Sequence, residues 1–302
     1  MNKPFPIKAT FIDEITYDLP SQNYSNEDWV SDLDAMQEVG IDTVVFIRGY
    51  FVNKCVFPSK YYPTLREKGE DLADLIFREC EKRNMKVFMG TYMTDLTWNN
   101  GDIEPELEKN ELFIKEVMDR YGKYKSFYGW YISHEVGGNN FNIKKLHKGL
   151  TDIFKKVSPD KKILISPFFQ ARPEVYPDYV LLSPERTYEV WDNILANSGH
   201  IDFCAFQDGT APLDKRVEYF EAVKEACHKH GVELWANIEL MGRGSVGFNS
   251  IDFLELRNNI NMLKPIVDNY MTFEFSHFMS PNSVYKSANR LYKLYKDYYS
   301  KK

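Results

Sequence analysis

Five acidic residues stand at or near the ends of separate apolar, strand-like runs. They are Glu14 in ATFIDEI, Glu135 in FYGWYISHE, Asp208 in IDFCAFQD, Glu239 in VELWANIE and Glu274 in YMTFEFSHF. A carboxylate at the edge of a β-core is costly to desolvate, and several carboxylates close together repel one another. Acid and base chemistry explains such a set better than stability does. The sequence therefore predicts an acid/base site.

The segments between these runs indicate how the carboxylates are brought together. A strand-like run followed by an amphipathic helix recurs along the whole chain; the first helix is predicted to begin after Ser25 and to end at Gly40. The pattern predicts eight strands and eight helices, with strand ends at Glu14, Arg48, Tyr92, Glu135, Pro167, Asp208, Glu239 and Glu274. Eight such units close a ring. We therefore expect an α/β fold, a (β/α)8 TIM barrel in one domain over residues 1–302, with the barrel from about residue 8 to about residue 299.

Composition narrows the class of protein. The net charge of −6 and the lack of a basic stripe argue against nucleic acid and anionic membranes as partners. The four cysteines form no CxxC pair and are expected to be buried thiols. No HxH closes the first strand, so we expect no catalytic metal, and no lysine ends a strand, which argues against a Schiff-base aldolase. Gly242, Gly244 and Gly247 have the G-x-G-x-x-G spacing, but no helix opens on them as a dinucleotide site needs, so we expect no cofactor. The first residues contain no signal peptide, which predicts a cytoplasmic protein, or a periplasmic or secreted one if a leader has been removed.

The strand pattern predicts which carboxylates meet. Alternation puts Tyr131 on the same strand face as Glu135, and Asn237 on the same face as Glu239. In a ring of eight strands the fourth and seventh lie three steps apart, so their terminal carboxylates can face each other across the mouth. Two facing carboxylates are the apparatus of glycoside hydrolysis: one donates a proton to the leaving oxygen, and the other attacks the anomeric carbon or activates water.

Several segments resemble a bacterial family of domains of unknown function whose members are described as TIM-barrel glycosidases. In chain order they are FIDEI, the run from Pro20-Ser-Gln-Asn to Trp29, GIDTVVFIR, SFYGWYISHE, AFQDG, LWANIE and TFEFSHFMSP. The resemblance extends from about Thr10 to about Tyr298 and implies a TIM barrel with glycosidase activity.

A more distant resemblance concerns the acidic residues after strands four and seven, which are similar to those of clan A retaining glycoside hydrolases. It implies that Glu135 is the acid/base and Glu239 the nucleophile. It also implies that Arg48, at the end of strand two, holds the nucleophile ionised.

The chain departs from the clan pattern at two positions. His134 stands where the clan has an asparagine before its acid/base, and Glu274 stands where an aromatic residue ends strand eight. Because of these departures, Glu274 or Asp208 stays open as the partner of Glu135 in place of Glu239. For each carboxylate the alternative is a structural anchor for strand-end backbone or for an arginine.

The predicted substrate-binding residues surround this pair. Aromatic residues make up 15% of the chain, and a flat ring near a strand end can pack on the C–H face of a sugar; such rings are Tyr92, Trp98, Trp130, Tyr131, Phe168 and Trp235. Tyr92 and Trp98 are the predicted sugar platform. The long segment after strand five is predicted to wall one side of the site. The full predicted binding set is Glu14, Arg48, Tyr92, Trp98, Tyr131, His134, Gln207, Asp208, Trp235, Asn237, Glu274 and His277. For Glu14 a structural anchor is the favoured interpretation, with binding of a substrate hydroxyl as the alternative.

The sequence thus predicts a metal-independent glycoside hydrolase that acts on an oligosaccharide or polysaccharide with retention of configuration. Two alternatives stay open. One is a barrel that binds carbohydrate without turnover, and the other is a carbohydrate lyase or isomerase that uses the same carboxylates for proton transfer.

Overall fold

Eight parallel strands pair into a closed ring. A computed structural model describes residues 6–16, 19, 22–64, 71–94, 98, 102–138, 142–175, 177–244 and 247–300. Around the ring the strands follow the order 1-8-7-6-5-4-3-2, and every neighbouring pair is parallel. The ring strands, one to eight, are Ile7–Ile12, Thr43–Phe46, Lys86–Gly90, Phe127–Ile132, Lys162–Ile165, Phe203–Gln207, Glu233–Glu239 and Asn269–Phe273. The predicted (β/α)8 barrel is confirmed.

Helices cover the outside of the ring. In the described residues they are α1 Asn26–Glu38, α2 Leu72–Lys82, α3 Glu104–Tyr121, α4 Ile143–Val157, α5 Pro184–Asn197, α6 Arg216–Lys229, α7 Phe253–Leu263, α8 Phe275–Phe278 and α9 Lys286–Ser300. The predicted start of α1 is confirmed, because Ser25 caps it and Asp28 completes a capping box. Gly40 ends the segment in the left-handed region with φ +81°, as its position predicts. Pro20 and Ser21, in the run that the family resemblance uses, lie outside the described residues.

Side chains of alternate strand residues build two apolar layers. On strand four Tyr131 points into the barrel, whereas the ring of Trp130 stacks on Phe154 of α4 outside it, with ring centroids 5.2 Å apart. The interior layer is Ala9, Phe11, Val45, Ile47, Phe88, Tyr131, Leu164, Phe203, Ala205, Trp235 and Met271. The barrel is therefore a packed core whose polar residues collect at its mouth.

Three small features on the strand-to-helix connections were not predicted. A short sheet joins Tyr50–Phe51, Lys54–Cys55 and Tyr92–Met93. A hairpin follows strand seven and pairs Met241–Gly244 with Gly247–Ser250. These features, with the single-turn helix α8, build up the rim above the C-terminal ends of the strands.

The four cysteines are buried and unbridged, as predicted. No helix in the described part of the chain combines the length and apolarity that are needed to cross a membrane.

Candidate active site

Glu135 follows strand four by three residues and is half-buried at the mouth of the barrel. The Tyr131 hydroxyl donates to its Oε1 at 2.7 Å. Tyr131 itself is fully buried; burial, and then the charge of Glu135, raises the pKa of the phenol well above its usual value. The phenol therefore stays protonated and remains a hydrogen-bond donor to Glu135.

Arg48 lies close to this tyrosine. Its Nη1 donates to Thr16 Oγ1 at 2.8 Å, and its guanidinium lies 4.7 Å from the ring centre of Phe51. Its positive charge acts on Tyr131, where it opposes the rise in the phenol pKa. Strand two thus brings a cation next to the Tyr131–Glu135 pair.

Glu239 is the last residue of strand seven and is 8% exposed. Its backbone N–H donates to Asp208 Oδ1 at 2.9 Å. Its carboxylate lies directly against Gly209: a Cβ on that glycine would be 2.2 Å from Oε2 and 2.5 Å from Cδ. Residue 209 must therefore be glycine for the carboxylate to occupy its place.

A polar network lies beneath the two glutamates inside the barrel. The Ser166 hydroxyl donates to the Ala205 carbonyl at 2.8 Å and accepts from Asn237 Nδ2 at 3.2 Å. The Gln207 amide donates to the Ser166 carbonyl at 3.1 Å. The Ser166 hydroxyl also interacts with the phenol of Tyr131. The network joins strands four to seven and fixes the spacing of the strands that carry Glu135 and Glu239.

Asp208 is a buried anchor. Its Oδ2 pairs with Arg216 Nη1 at 3.0 Å, while Oδ1 holds the backbone of Glu239. Burial raises the pKa of Asp208, and the charge of Arg216 and the Glu239 N–H oppose that rise. These contacts match the alternative stated from the sequence, in which Asp208 is a structural anchor for backbone and for an arginine.

Glu274 is buried in the same manner at the end of strand eight. Its carboxylate caps α8 by accepting from the backbone N–H of Ser276 at 3.0 Å and of His277 at 2.8 Å. The imidazole Nδ1 of His277 also contacts it. These contacts bind the carboxylate to the segment that directly follows it.

His134 lies behind the mouth, against α3. Its Nε2 is 2.8 Å from Oε1 of Glu106, whose carboxylate also accepts from the N–H and hydroxyl of Thr94. Burial raises the pKa of Glu106, but the hydrogen bond and charge of His134 and the Thr94 bonds outweigh it, so the net shift is downward. The pair joins the end of strand four to the helix that follows strand three.

The two rings predicted as a sugar platform are covered, since Tyr92 and Trp98 are each 3% exposed. Tyr92 stacks on Tyr50 with centroids 4.3 Å apart, and Trp98 lies edge-on to His134 at 5.0 Å. The remainder of the loop 94–101 lies outside the described residues, apart from Thr94.

Trp235 lies lower in the barrel than the sequence suggested. It comes four residues before Glu239, about 13 Å further down the strand, and its indole N–H bonds Glu233 at 3.2 Å. Glu14 lies just beyond strand one and is half-buried, and Phe168, beyond strand five, is also half-buried.

Sequence reasoning missed four residues that support this site, which are Glu106, Ser166, Gly209 and Arg216. Gly209 carried a signal, because a glycine directly after a strand-end acid often permits close approach. Glu106, Ser166 and Arg216 gave no such signal, since their partners lie 8 to 71 residues away along the chain. Within the described residues, no group of three or more His, Cys, Asp or Glu side chains is placed to hold a metal ion.

Comparison with known proteins adds family and fold. The model of the family described as "Domain of unknown function (DUF4434)" matches residues 7–285. No curated protein matches the chain. A crystal structure from Bacteroides thetaiotaomicron VPI-5482, described as a "putative alpha-L-fucosidase", is 34% identical with a TM-score of 0.92, covering 100% of this chain and 95% of that one.

More distant structures share the fold. An intracellular xylanase from Thermoanaerobacterium saccharolyticum, solved with xylotriose, has a TM-score of 0.55 at 15% identity and covers 89% of this chain and 85% of its own. The glycoside hydrolase domain of PgaB (BpsB) from Bordetella bronchiseptica has a TM-score of 0.53 at 13% identity, covering 89% and 94%.

Proposed function

The chain belongs to the DUF4434 family, and from that premise and the site geometry we propose that it is a glycoside hydrolase. Glu135 is the acid/base, Glu239 is the nucleophile, and the reaction retains the configuration of the anomeric carbon. The similarity to glycoside hydrolase structures supports the general class of reaction.

One observation carries the assignment of the two glutamates. Asp208 and Glu274 are fully buried, and their carboxylates anchor an arginine, a backbone segment or a helix start. Glu135 and Glu239 instead lie at the mouth, after strands four and seven, and neighbouring groups orient them: a phenol in one case, and a glycine with an anchored backbone in the other. Of the strand-end acids, this pair is therefore the one that we assign to catalysis, and double displacement further requires that the two carboxyl groups lie about 5 to 5.5 Å apart.

The proposed reaction has two steps. A Glu239 oxygen bonds to the anomeric carbon as the glycosidic C–O bond breaks, and Glu135 gives its proton to the leaving oxygen. Glu135 then takes a proton from a water molecule, whose oxygen attacks the anomeric carbon and releases Glu239. Tyr131 orients Glu135 in both steps. Arg48 adds positive charge to the mouth, which favours the ionised form that Glu239 needs as the nucleophile and that Glu135 takes after it has given up its proton.

We propose a carbohydrate substrate, and the relatives indicate which to try first. An aryl α-L-fucoside is the first compound to test because of the 34% identical structure. Aryl β-xylosides and xylan follow because of the xylanase fold neighbours.

The decisive experiment compares Glu135→Gln and Glu239→Gln with the wild type on this panel. Each variant should lose at least about 10³-fold in kcat/KM, because removing either carboxylate removes one step of the mechanism. Glu108→Gln, an exposed change on α3, is the matched control and should leave kcat/KM unaltered. Full activity in both site variants would refute the assignment, and sugar binding without turnover in the wild type would favour the non-catalytic alternative.

Product stereochemistry tests the mechanism separately. The first-formed sugar, followed by proton NMR, should have the anomeric configuration of the substrate. With Glu239→Ala, azide should restore turnover and give a glycosyl azide of inverted configuration, since azide then replaces the nucleophile. A first product of inverted configuration from the wild type would indicate a single displacement by water.

A further inference from the structure

The loop at 168–182, after strand five, contacts the surroundings of both glutamates. On one side the Phe168 N–H donates to the Val136 carbonyl at 3.1 Å, one residue after Glu135. Its ring packs so closely on Gly137 that a Cβ there would be 2.5 Å from the ring edge. The loop is thus tied directly to the segment that carries the proposed acid.

On the other side the same loop contacts the support of Glu239. Arg172 Nη1 donates to the Gly209 carbonyl at 2.8 Å, and Gly209 is the residue on which the Glu239 carboxylate lies. The loop therefore spans the edge of the mouth between the two proposed catalytic residues.

Residues 179–181 of this loop present apolar surface to solvent, next to backbone that is held at residue 182. Tyr179, Val180 and Leu181 are 46%, 74% and 43% exposed. The next residue, Leu182, donates to the Gln170 carbonyl at 2.8 Å and accepts from the Tyr219 hydroxyl at 2.6 Å. The Tyr179 ring stands nearly perpendicular to that of Phe168, with centroids 6.2 Å apart. The two rings thus form a corner on the loop that is bonded to the segment after Glu135.

Most exposed apolar residues lie on the connections that leave the C-terminal ends of the ring strands. Of the nine large hydrophobic side chains that are exposed in the described residues, only Leu112 lies in the middle of a helix on the barrel wall. The other eight lie on the connections that follow the strands or in the first helical turn beyond them: Val52, Tyr61, Tyr179, Val180, Leu181, Leu213, Leu254 and Val284. Tyr61 belongs to the outer wall, because the adjoining Ser59 and Lys60 bond Glu116 in the middle of α3. Exposed apolar side chains beside a barrel mouth, such as those at 179–181, are typical of a ligand-binding surface.

We propose that Phe168 and Tyr179 form a sugar-binding subsite for the leaving group, so that the substrate continues for at least one sugar beyond the bond that is cleaved. This rests on the proposed function. The acid gives its proton to the leaving oxygen, so the leaving group lies on the acid's side, and Phe168 is the aromatic residue bonded to that segment. The C–H face of a pyranose packs on a ring, while its hydroxyls need polar partners.

Those polar partners lie beside the rings. They are the side chains of Arg172 and Glu174 on the same loop: Arg172 Nη1 is held by the Gly209 carbonyl, and its Nε pairs with Glu174 at 2.7 Å. The ligand class is therefore an oligosaccharide or polysaccharide chain, as opposed to a glycoside of a small alcohol.

The test measures glycan binding and turnover in parallel. Binding uses the Glu135→Gln background, so that the glycan is not consumed, with an array of plant, bacterial and animal oligosaccharides followed by calorimetry with xylohexaose and 2′-fucosyllactose. Tyr179→Ala should raise Kd about fivefold or more, whereas Tyr179→Phe should retain binding because the ring remains. Tyr61→Ala, which removes a 56% exposed ring from the loop after strand two, is the matched control.

Turnover supplies the second measurement. In the wild-type background, Tyr179→Ala should lower kcat/KM for the oligosaccharide about fivefold more than for the glycosyl fluoride of the same sugar, because fluoride leaves without occupying the subsite. Equal losses on both substrates, an unaltered Kd in Tyr179→Ala, or no glycan bound by any form would overturn the subsite. If binding depends on Tyr179 while Glu135→Gln and Glu239→Gln both stay active, the subsite stands and the proposed catalytic pair fails.

Discussion

At the scale of single residues, the position of Glu239 depends on an absence of atoms as much as on contacts. Asp208 holds its backbone N–H, and Gly209 leaves the space that its carboxylate fills. The role of Asp208 in this site is thus indirect: it is paired with Arg216 and acts through the backbone of its neighbour. Because the Glu239 carboxylate fills a space beside Gly209, a substitution at residue 209 can displace it while Glu239 itself is unchanged.

The substitution Gly209→Ala should therefore act as a mutation of Glu239. The added methyl would lie 2.2 Å from Oε2, so the carboxylate must move, and since it is the end of a flexible side chain the fold can tolerate the movement. A displacement of about 1 Å can cost about 10²-fold in rate, and we expect a loss of that order in kcat. Steady-state kinetics measures the loss in kcat, and thermal unfolding of the same variant checks that the fold is retained.

Gly242→Ala, on the hairpin after strand seven, is the matched control. A methyl there would have Asn249 O at 3.8 Å as its nearest neighbour, so kcat should not change. If Gly209→Ala kept full kcat with normal stability, Glu239 would not be the nucleophile in this position.

At the scale of elements, the strands and helices follow from the sequence far better than their junctions do. The predicted strand ends fall within zero to two residues of the observed ones, except at strand four, where Glu135 lies three residues beyond Ile132. Apolar runs and helix caps depend on residues that are close together along the chain, so they predict strands and helices. Junctions depend on contacts between residues that are far apart along the chain. The cap that Glu274 supplies to α8 was missed because glutamate is not a preferred N-cap residue, so the sequence reads there as a strand-end acid.

Helix α1 is joined to the segment after strand eight by a buried carboxylate. Asp32 is fully buried on α1, and its Oδ1 accepts from the Ser280 hydroxyl and, at 3.1 Å, from Asn282 Nδ2. Among the described residues, its Oδ2 has no hydrogen-bond partner. Burial raises the pKa of Asp32 from 3.8 to about 6, and the hydrogen bonds oppose that rise.

This shift predicts a dependence of stability on pH. Because the folded-state pKa is raised, the folded protein binds the proton more tightly than the unfolded chain, so the contribution is fully present below about pH 4 and is lost as the pH rises through about 6. Between pH 4.5 and pH 7.5 Asp32 should remove about 2 kcal/mol from the free energy of unfolding. Urea unfolding of the wild type and Asp32→Asn at both pH values measures it.

The variant supplies its own control, because the introduced amide cannot titrate but keeps an oxygen for Ser280 and Asn282. The stability difference between Asp32→Asn and the wild type should shift by about 2 kcal/mol in favour of the variant as the pH rises. A difference that stays constant between the two pH values would show that Asp32 is ionised in the folded protein at both.

At the scale of the whole molecule, ring closure explains both what sequence reasoning found and what it missed. The count of eight strand-helix units fixes the circular order, and the order alone separates strands four and seven by two intervening strands. The strand order does not give the depth of a side chain along the barrel axis. Trp235 shares the inward face of Glu239 but lies within the core, and Tyr92 is covered by Tyr50 from another connection. Exposure at the mouth depends on contacts between distant connections, which alternation and spacing do not encode.

Closure also depends on the last helix. The first strand pairs with the eighth, and at the start of this seam the backbone N–H of Ile7 donates to the hydroxyl of Tyr295 on α9 at 3.3 Å. Tyr295 is fully buried, so α9 packs across the junction of the two ends of the chain.

Tyr295→Ala should consequently destabilise the entire barrel. Removing a fully buried aromatic ring costs about 3 to 5 kcal/mol, and the Ile7 N–H would also lose its partner. Tyr298→Ala on the same helix, where the ring is only half-buried, should cost clearly less. Urea unfolding followed by circular dichroism and by tryptophan fluorescence should give one coincident transition for each protein, because a closed ring has no strand that can leave alone. Separate transitions in Tyr295→Ala would mean that the first strand opens as a local unit while the other seven remain folded.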